Sequence, residues 1–306
     1  MDFDCIESFK KDEIDGVILK GVKNFELNHI FDCGQCFRWN RQENGNYIGV
    51  ALGKVIEVEK NQDDVILYNT NENEFEEIWK DYFDLNRAYS EIKTILSEDK
   101  LLEKAINYGY GIRILKQEPF EIIISFITSA NNRIPMIKKA IEKISRKWGE
   151  KLEYKGKEYY TFPSIYKLYN ASIEDIESCG TGFRSKYIED TVSKIYESST
   201  TDYIEYNEQF DIRYIEKLQD DECHKMLQNF KGIGPKVGDC IMLFSMGKDS
   251  AFPVDVWVKR AMQHFYLAPD VSLKKIRDFA RDKFGEFSGL AQQYLFFYAR
   301  ENNIIP

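Results

Sequence analysis

The chain has no excess of basic charge. Its 306 residues carry 42 Lys+Arg against 51 Asp+Glu, a net of −9. Such a balance argues against a tight, non-specific nucleic-acid binder, whose affinity comes from many lysine and arginine contacts to phosphate. The deficit is uneven. Residues 1–115 hold 14 basic against 23 acidic side chains, and residues 116–306 hold 28 against 28. The neutral second part can still gather a basic face and grip a few phosphates. Soft metal ligands are scarce as well. The cysteines lie scattered at Cys5, Cys33, Cys36, Cys179, Cys223 and Cys240, and only Cys33 and Cys36 have metal-pair spacing. With no second pair, neither a zinc site nor an iron–sulfur cluster has its ligands, and reduced thiols are expected. His29, His224 and His264 are equally dispersed. No metal and no cofactor are expected. No apolar run approaches the ~20 residues of a membrane span. The N-terminal Met-Asp-Phe-Asp-Cys-Ile-Glu lacks the basic flank of a secretory signal. An intracellular protein with no membrane partner is expected.

What is present reads as an α+β chain in two parts. In residues 1–115 short apolar strands are expected over 16–22, 37–39, 47–50, 55–59 and 65–68, forming an antiparallel sheet. Asn44-Gly45 between two of them is a strong hairpin signal. Helices are expected over 75–82 and 89–106. From Pro119 the period changes to that of helices. Ile137, Ala140, Ile141, Ile144 and Trp148 share one stripe. So do Cys223, Met226, Leu227 and Phe230, then Val237, Cys240, Ile241 and Phe244, and last Ala291, Tyr294, Leu295 and Tyr298. The expected division is a sheet domain over 1–115 and an all-helical domain over 116–306. No solenoid repeat and no low-complexity tract interrupts it.

The most informative segment is a helix–hairpin–helix over about 220–247. Gly232 and Gly234 bracket Ile233 between two amphipathic helices. Glycine permits the positive φ of a tight turn and lets another backbone come close. Pro235 suits the first turn of the second helix, whose free N–H groups favour an anion. Lys236 follows at the same helix end. The positive pole of the helix disfavours an ammonium there and favours the neutral, nucleophilic amine, which can form a Schiff base. Nineteen residues on, Pro253-Val254-Asp255 precedes another helix. Asp255 is an N-cap by position. A carboxylate held by backbone N–H groups stays rigid and ionised, suited to stabilise a developing oxocarbenium ion.

Lys231 to Cys240 with Pro253-Val254-Asp255 resembles the Gly/Pro…Asp motif of the helix–hairpin–helix glycosylase superfamily. The lysine resembles that of its bifunctional branch. Gly34 to Trp39, Ser125 to Ile127 with Asn131-Asn132, Gly182-Phe183-Arg184, and Ala291-Gln292 to Phe296 extend the likeness to 8-oxoguanine DNA glycosylase/AP lyases of the eukaryotic type. The resemblance covers most of the chain. It implies duplex DNA containing oxidised guanine as partner, with base flipping. It implies attack on C1′ by Lys236, Schiff-base formation and β-elimination, with Asp255 stabilising the sugar cation. It also implies a base pocket in which Gln292 pairs with the purine edge, Phe296 and Cys240 flank the ring, and the Gly34 carbonyl reads the N7 hydrogen. Gln292 and Phe296 are four apart, so they share a helix face. Asn131 and Phe183 match gap-filling and wedge residues, Arg184 a contact to the orphaned base, and Gly232 and Gly234 the phosphate-binding hairpin. Two positions depart from the family. Met136 stands where eukaryotic members read the opposite cytosine with a second arginine, and Trp257 replaces a phosphate-contacting histidine. Relaxed opposite-base preference is therefore expected. One copy suffices to flip a base, so a monomer is expected, working in the cytoplasm or on the nucleoid. The alternatives are a helix–hairpin–helix glycosylase for another damaged base, for which Lys236 has less use, or a non-catalytic DNA-binding protein, which has no use for Lys236 with Asp255.

Overall fold

The computed structural model describes residues 2–200, 208–267 and 270–302. Its larger sheet has six strands: β1 Cys5–Lys11, β2 Ile14–Lys20, β3 Trp39–Arg41, β4 Tyr47–Ala51, β5 Lys54–Asn61 and β6 Asp64–Tyr68. Their order is β1-β2-β6-β5-β4-β3. The Asn44-Gly45 signal is realised: Gly45 takes φ +91° and Trp39 pairs with Gly49, Arg41 with Tyr47. The Trp39 indole lies over its cross-strand glycine, where an added Cβ would come within 2.4 Å of the ring. On that ring Phe31 stacks at 4.0 Å, and the indole N–H donates to the Tyr82 hydroxyl at 2.8 Å. Phe83, Trp79 and Tyr47 complete a buried aromatic cluster under the sheet. Burial of such rings is the main stabilising contribution.

β1 was not expected from the apolar pattern. Its sequence, Cys-Ile-Glu-Ser-Phe-Lys-Lys, is mostly exposed and forms the outer edge of the sheet, where charged residues blunt further pairing. The single helix expected over 89–106 is two, Tyr89–Leu96 and Lys100–Tyr108. The break falls at Asp99, whose carboxylate caps the second by accepting from the Leu101 and Leu102 N–H groups.

The chain divides into two units. The first comprises Met1–Gly49, Ile56–Lys116 and Gly247–Pro306, the second Val50–Val55 and Gln117–Met246. This differs from a two-way division at 115/116, because the last helices belong with the sheet. Side chains account for it. Phe297 meets the rings of His29 and Tyr108 at 5.3 and 5.7 Å, Arg87 pairs with Asp249 at 2.7 Å, and Tyr266 donates to Asp99 at 2.7 Å. The Val256–Phe265, Leu273–Phe284 and Ser288–Glu301 helices are held there.

The second unit is largely helical. Pro119–Ser129 is almost wholly buried and stacks Phe126 on Phe244 of the Pro235–Ser245 helix at 5.6 Å. Ile137, Ala140, Ile141 and Ile144 are buried along Ile134–Trp148. Trp148, expected on that stripe, is only half-buried, with the Lys147 ammonium 4.9 Å from its ring. A short hairpin, β7 Lys151–Tyr154 and β8 Lys157–Tyr160, interrupts the helices. Its turn residues Lys155 and Gly156 both take positive φ, as a type I′ turn demands. Among the described residues no helix is long and apolar enough to cross a membrane.

Candidate active site

In the second unit the helices Asp220–Leu227 and Pro235–Ser245 flank the glycine hairpin. Ile233 and Phe230 are buried beneath it, and the Ile233 N–H donates to the Phe230 carbonyl. The two glycines are required for different reasons. Gly232 takes φ +85°, and a Cβ there would meet Tyr187 at 2.8 Å. Gly234 is the N-cap at φ −94°, with nothing within 4 Å of an added Cβ and no side chain capping the helix. Its openness is what an approaching phosphate needs at a helix N-terminus. The His224 ring Nε2 bonds the Pro235 carbonyl at 3.0 Å, fixing the turn from behind.

Lys236 is half-buried on the first turn. Its Nζ lies 5.3 Å from the centre of the Phe126 ring, itself stacked on Phe244. Among the described residues no hydrogen bond or ion pair holds the amine. Cys240 is one turn on, 3% exposed.

Asn131, Phe183 and Arg184 converge in the same unit. Asn131 is exposed at φ +50°, a conformation asparagine tolerates better than most residues. Phe183 is 57% exposed, unusual for so large an apolar ring. Arg184, expected to contact the orphaned base, is buried and braces this surface. Its Nε and Nη2 donate to the Ala130 and Asn131 carbonyls at 2.7 and 2.9 Å, and Nη1 to the Thr181 carbonyl at 3.1 Å. Burial alone pushes its pKa below the ordinary arginine value. The guanidinium also lies 4.5 Å from the Phe183 ring. Three of five N–H groups are thus committed, leaving one on each terminal nitrogen. Met136 is 50% exposed.

In the first unit Asp255 caps the Val256–Phe265 helix, its Oδ1 accepting from the Val258 N–H at 2.8 Å. Buried Pro253 and Val254 lead into it. Trp257 lies on the first turn with the Arg260 guanidinium 5.2 Å from its ring.

Gly34 and Phe296 meet in the first unit, although far apart in sequence. Gly34 takes φ +82°, and a Cβ there would lie 3.3 Å from Phe296 Cε1. Sequence reasoning missed what holds this loop. The buried Gln35 amide donates to the Ile30 and Arg113 carbonyls at 2.9 and 2.7 Å and accepts from the Leu115 N–H at 2.9 Å. The Arg300 guanidinium donates to the Asp32 carbonyl at 2.8 Å and stands 5.1 Å from the Phe296 ring. Cys33 donates to the Ile30 carbonyl, and burial pushes its thiol up to about 12, where it stays protonated. Gln292, one turn before Phe296 on the Ser288–Glu301 helix, is 3% exposed.

A glycine hairpin between two helices, followed by a lysine and a helix-capping aspartate, defines the helix–hairpin–helix class of DNA-acting proteins. The comparisons agree. A family model described as 8-oxoguanine DNA glycosylase, N-terminal domain, matches residues 17–123. One described as HhH-GPD superfamily base excision DNA repair protein matches residues 124–285. A probable N-glycosylase/DNA lyase of Methanothermobacter thermautotrophicus is 34% identical over 243 residues, 73% of this chain and 74% of that protein. The N-glycosylase/DNA lyase OGG1 of Arabidopsis thaliana is 29% identical over 280 residues, 87% of this chain and 75% of that one. The crystal structure of Clostridium acetobutylicum 8-oxoguanine glycosylase/lyase, bound to double-stranded DNA with cytosine opposite 8-oxoguanine, is 61% identical with a TM-score of 0.93. It covers 99% of this chain and 100% of that one. The chain belongs to the 8-oxoguanine DNA glycosylase/lyase family of the HhH-GPD base excision repair superfamily.

Proposed function

We propose that the protein excises 8-oxo-7,8-dihydroguanine, and formamidopyrimidine lesions, from duplex DNA and then nicks the strand by β-elimination. Beyond family membership, the observation that carries this reading is Lys236. A half-buried amine on the first turn of its helix, 5.3 Å from the centre of an aromatic ring and with no hydrogen bond or acid partner among the described residues, is available as a nucleophile. The neutral amine attacks C1′ of the flipped nucleotide as the bond to the base breaks, and the base leaves with a proton. Breaking of the C1′–O4′ bond, with O4′ taking a proton from solvent, then gives the protonated Schiff base. Removal of a C2′ proton then expels the 3′-phosphate and cuts the strand. Asp255, held on its cap by the Val258 N–H, stabilises positive charge on the sugar as the base departs. Gln292, Phe296, Cys240 and the Gly34 carbonyl select the base. Asn131 and Phe183 fill the gap left in the stack, and the hairpin N–H groups at Gly232 and Gly234 take the phosphate. This work on chromosomal DNA is intracellular, needs one copy of the chain, and draws on no metal or cofactor. The test is release of base from duplexes carrying 8-oxoguanine, an alkylated purine or undamaged guanine. Release confined to the alkylated purine, or binding without release, refutes the reading.

Two further outcomes are expected. Met136 cannot donate to a base edge. Single-turnover excision rates opposite C, A, G and T should therefore agree within about threefold, because the second of the family's two arginine readers of the partner base is missing. Loss of activity with every partner but cytosine contradicts this. Gly34→Ala forces an unfavourable φ and crowds Phe296. Release of 8-oxoguanine should fall by about tenfold, the equivalent of the ~1–2 kcal/mol cost of an alanine at that backbone angle. Nicking of a preformed abasic site, which contains no base, reports whether the variant folds.

A further inference from the structure

The glycine hairpin is backed by a chain of donors that the motif itself does not contain. Gln228 Nε2 donates to the His224 carbonyl at 2.9 Å and lies 3.2 Å from the ring Nδ1 of the same residue. A backbone carbonyl only accepts, so it anchors the NH2 end of that amide against the ring, and Nδ1 must be the acceptor. The ring hydrogen is therefore on Nε2, which donates to the Pro235 carbonyl at 3.0 Å. Asp239 Oδ1, 3.5 Å from the same nitrogen, is a second acceptor on that side. Gly238 makes room for the ring, since a Cβ there would come within 3.2 Å of His224 Cδ2. Glycine is a poor residue inside a helix, and here it seats the imidazole.

The peptide that His224 grips is the one between Pro235 and Lys236. Its carbonyl accepts from the ring, and its N–H belongs to the lysine. Intrahelical bonding begins with the Gly238 N–H, which donates to the Gly234 carbonyl at 2.9 Å. The Lys236 N–H therefore has no acceptor in its own helix and is free for an anion at the helix start. A peptide whose carbonyl accepts a hydrogen bond becomes a stronger donor at its N–H. We infer that His224 is a positioning residue that fixes and polarises the Pro235–Lys236 peptide, so that the Lys236 N–H joins the hairpin N–H groups in holding a DNA phosphate. The inference rests on the reading of the hairpin as a phosphate site given above. Each group donates to the next: Gln228 amide, His224 ring, Pro235 carbonyl with its peptide N–H, phosphate. The same peptide carries the nucleophile, so the grip on phosphate also sets where the Lys236 side chain starts.

The test measures binding at pH 8 to a duplex carrying a tetrahydrofuran abasic analogue, with each phosphate near the analogue replaced in turn by a neutral methylphosphonate. The parent is compared with His224→Leu, which cannot donate, and His224→Gln, whose Nε2 reaches as far as the ring Nε2 and can. One methylphosphonate should weaken the parent by about tenfold, the loss of a charge-assisted contact. His224→Leu should weaken binding to the unmodified duplex by about fivefold. The same methylphosphonate should then cost this variant only about twofold, because the two changes act on one contact. His224→Gln should restore both parent values. Equal costs in parent and His224→Leu at every phosphate overturn the inference, as does a His224→Gln variant that behaves like His224→Leu. If no methylphosphonate weakens the parent, the phosphate reading of the hairpin fails and takes the inference with it. The parent alone supplies a second measurement should His224→Leu not fold. With 3 histidines in the chain the ring 15N–1H signals are few. His224 should show the Nε2–H tautomer, and that proton signal should move on binding the unmodified duplex but not the weakened methylphosphonate duplex. An Nδ1–H tautomer, or a signal that stays in place with both duplexes, overturns the inference.

Discussion

Lys236→Gln should release no measurable 8-oxoguanine, with single-turnover excision and nicking down by about a thousandfold or more, as befits loss of the nucleophile. Glutamine preserves the polar character of the side chain and its helix propensity. The Phe126–Phe244 stack and the hairpin beneath lie outside the substitution. Binding to a lesion-bearing duplex should persist, because the hairpin N–H groups and the Asn131–Phe183 surface are intact. Direct measurement of binding beside excision checks this. A variant that still nicks at a tenth of the parent rate would move the chemistry to another residue.

Asp255→Asn is expected to give the second largest effect, and it separates two roles of one side chain. Asparagine caps helices about as well as aspartate. It keeps the bond to the Val258 N–H that Oδ1 now accepts. Thermal unfolding should therefore shift by only a degree or two, since the capping difference is a few tenths of a kcal/mol at most. The charge is lost, and with it the proposed stabilisation of positive charge on the sugar. Base release should fall by about a hundredfold, the scale of removing one preorganised electrostatic group. If asparagine lowers stability and rate in proportion, Asp255 is a cap and no more.

How far the sequence reveals this site depends on whether a residue's task is local. Gly45, Gly232 and Pro235 are legible because a turn or a helix start makes its demand within a few residues. Asp255 is legible as a cap for the same reason. β1 is not, because an edge strand of mixed charge has no apolar alternation to read. The β7–β8 hairpin is equally polar, with only Lys155-Gly156 to mark it. The grouping of the last helices with the sheet is also invisible. It depends on pairs such as Arg87–Asp249 and His29–Phe297, which are separated by most of the chain. Arg184 shows the limit most clearly. Its spacing beside Phe183 is plain, but its commitment to the carbonyls around Asn131 belongs to the folded loop. Gln35 carries no signal of its own. It matters through a neighbour, by holding the Gly34 loop. Gly34 and Phe296 are linked in the sequence only by the family resemblance, and their close approach is a property of the fold.

The proposed chemistry requires that Lys236 become covalently attached to the DNA sugar during the reaction. Borohydride reduction during turnover on an 8-oxoguanine duplex tests it most directly, because it fixes a Schiff base as a stable amine. A DNA–protein adduct is expected, with the modified peptide containing Lys236 when the 36.0 kDa chain is digested and mapped by mass. Base release without any trapped adduct, or an adduct on a different lysine, contradicts it.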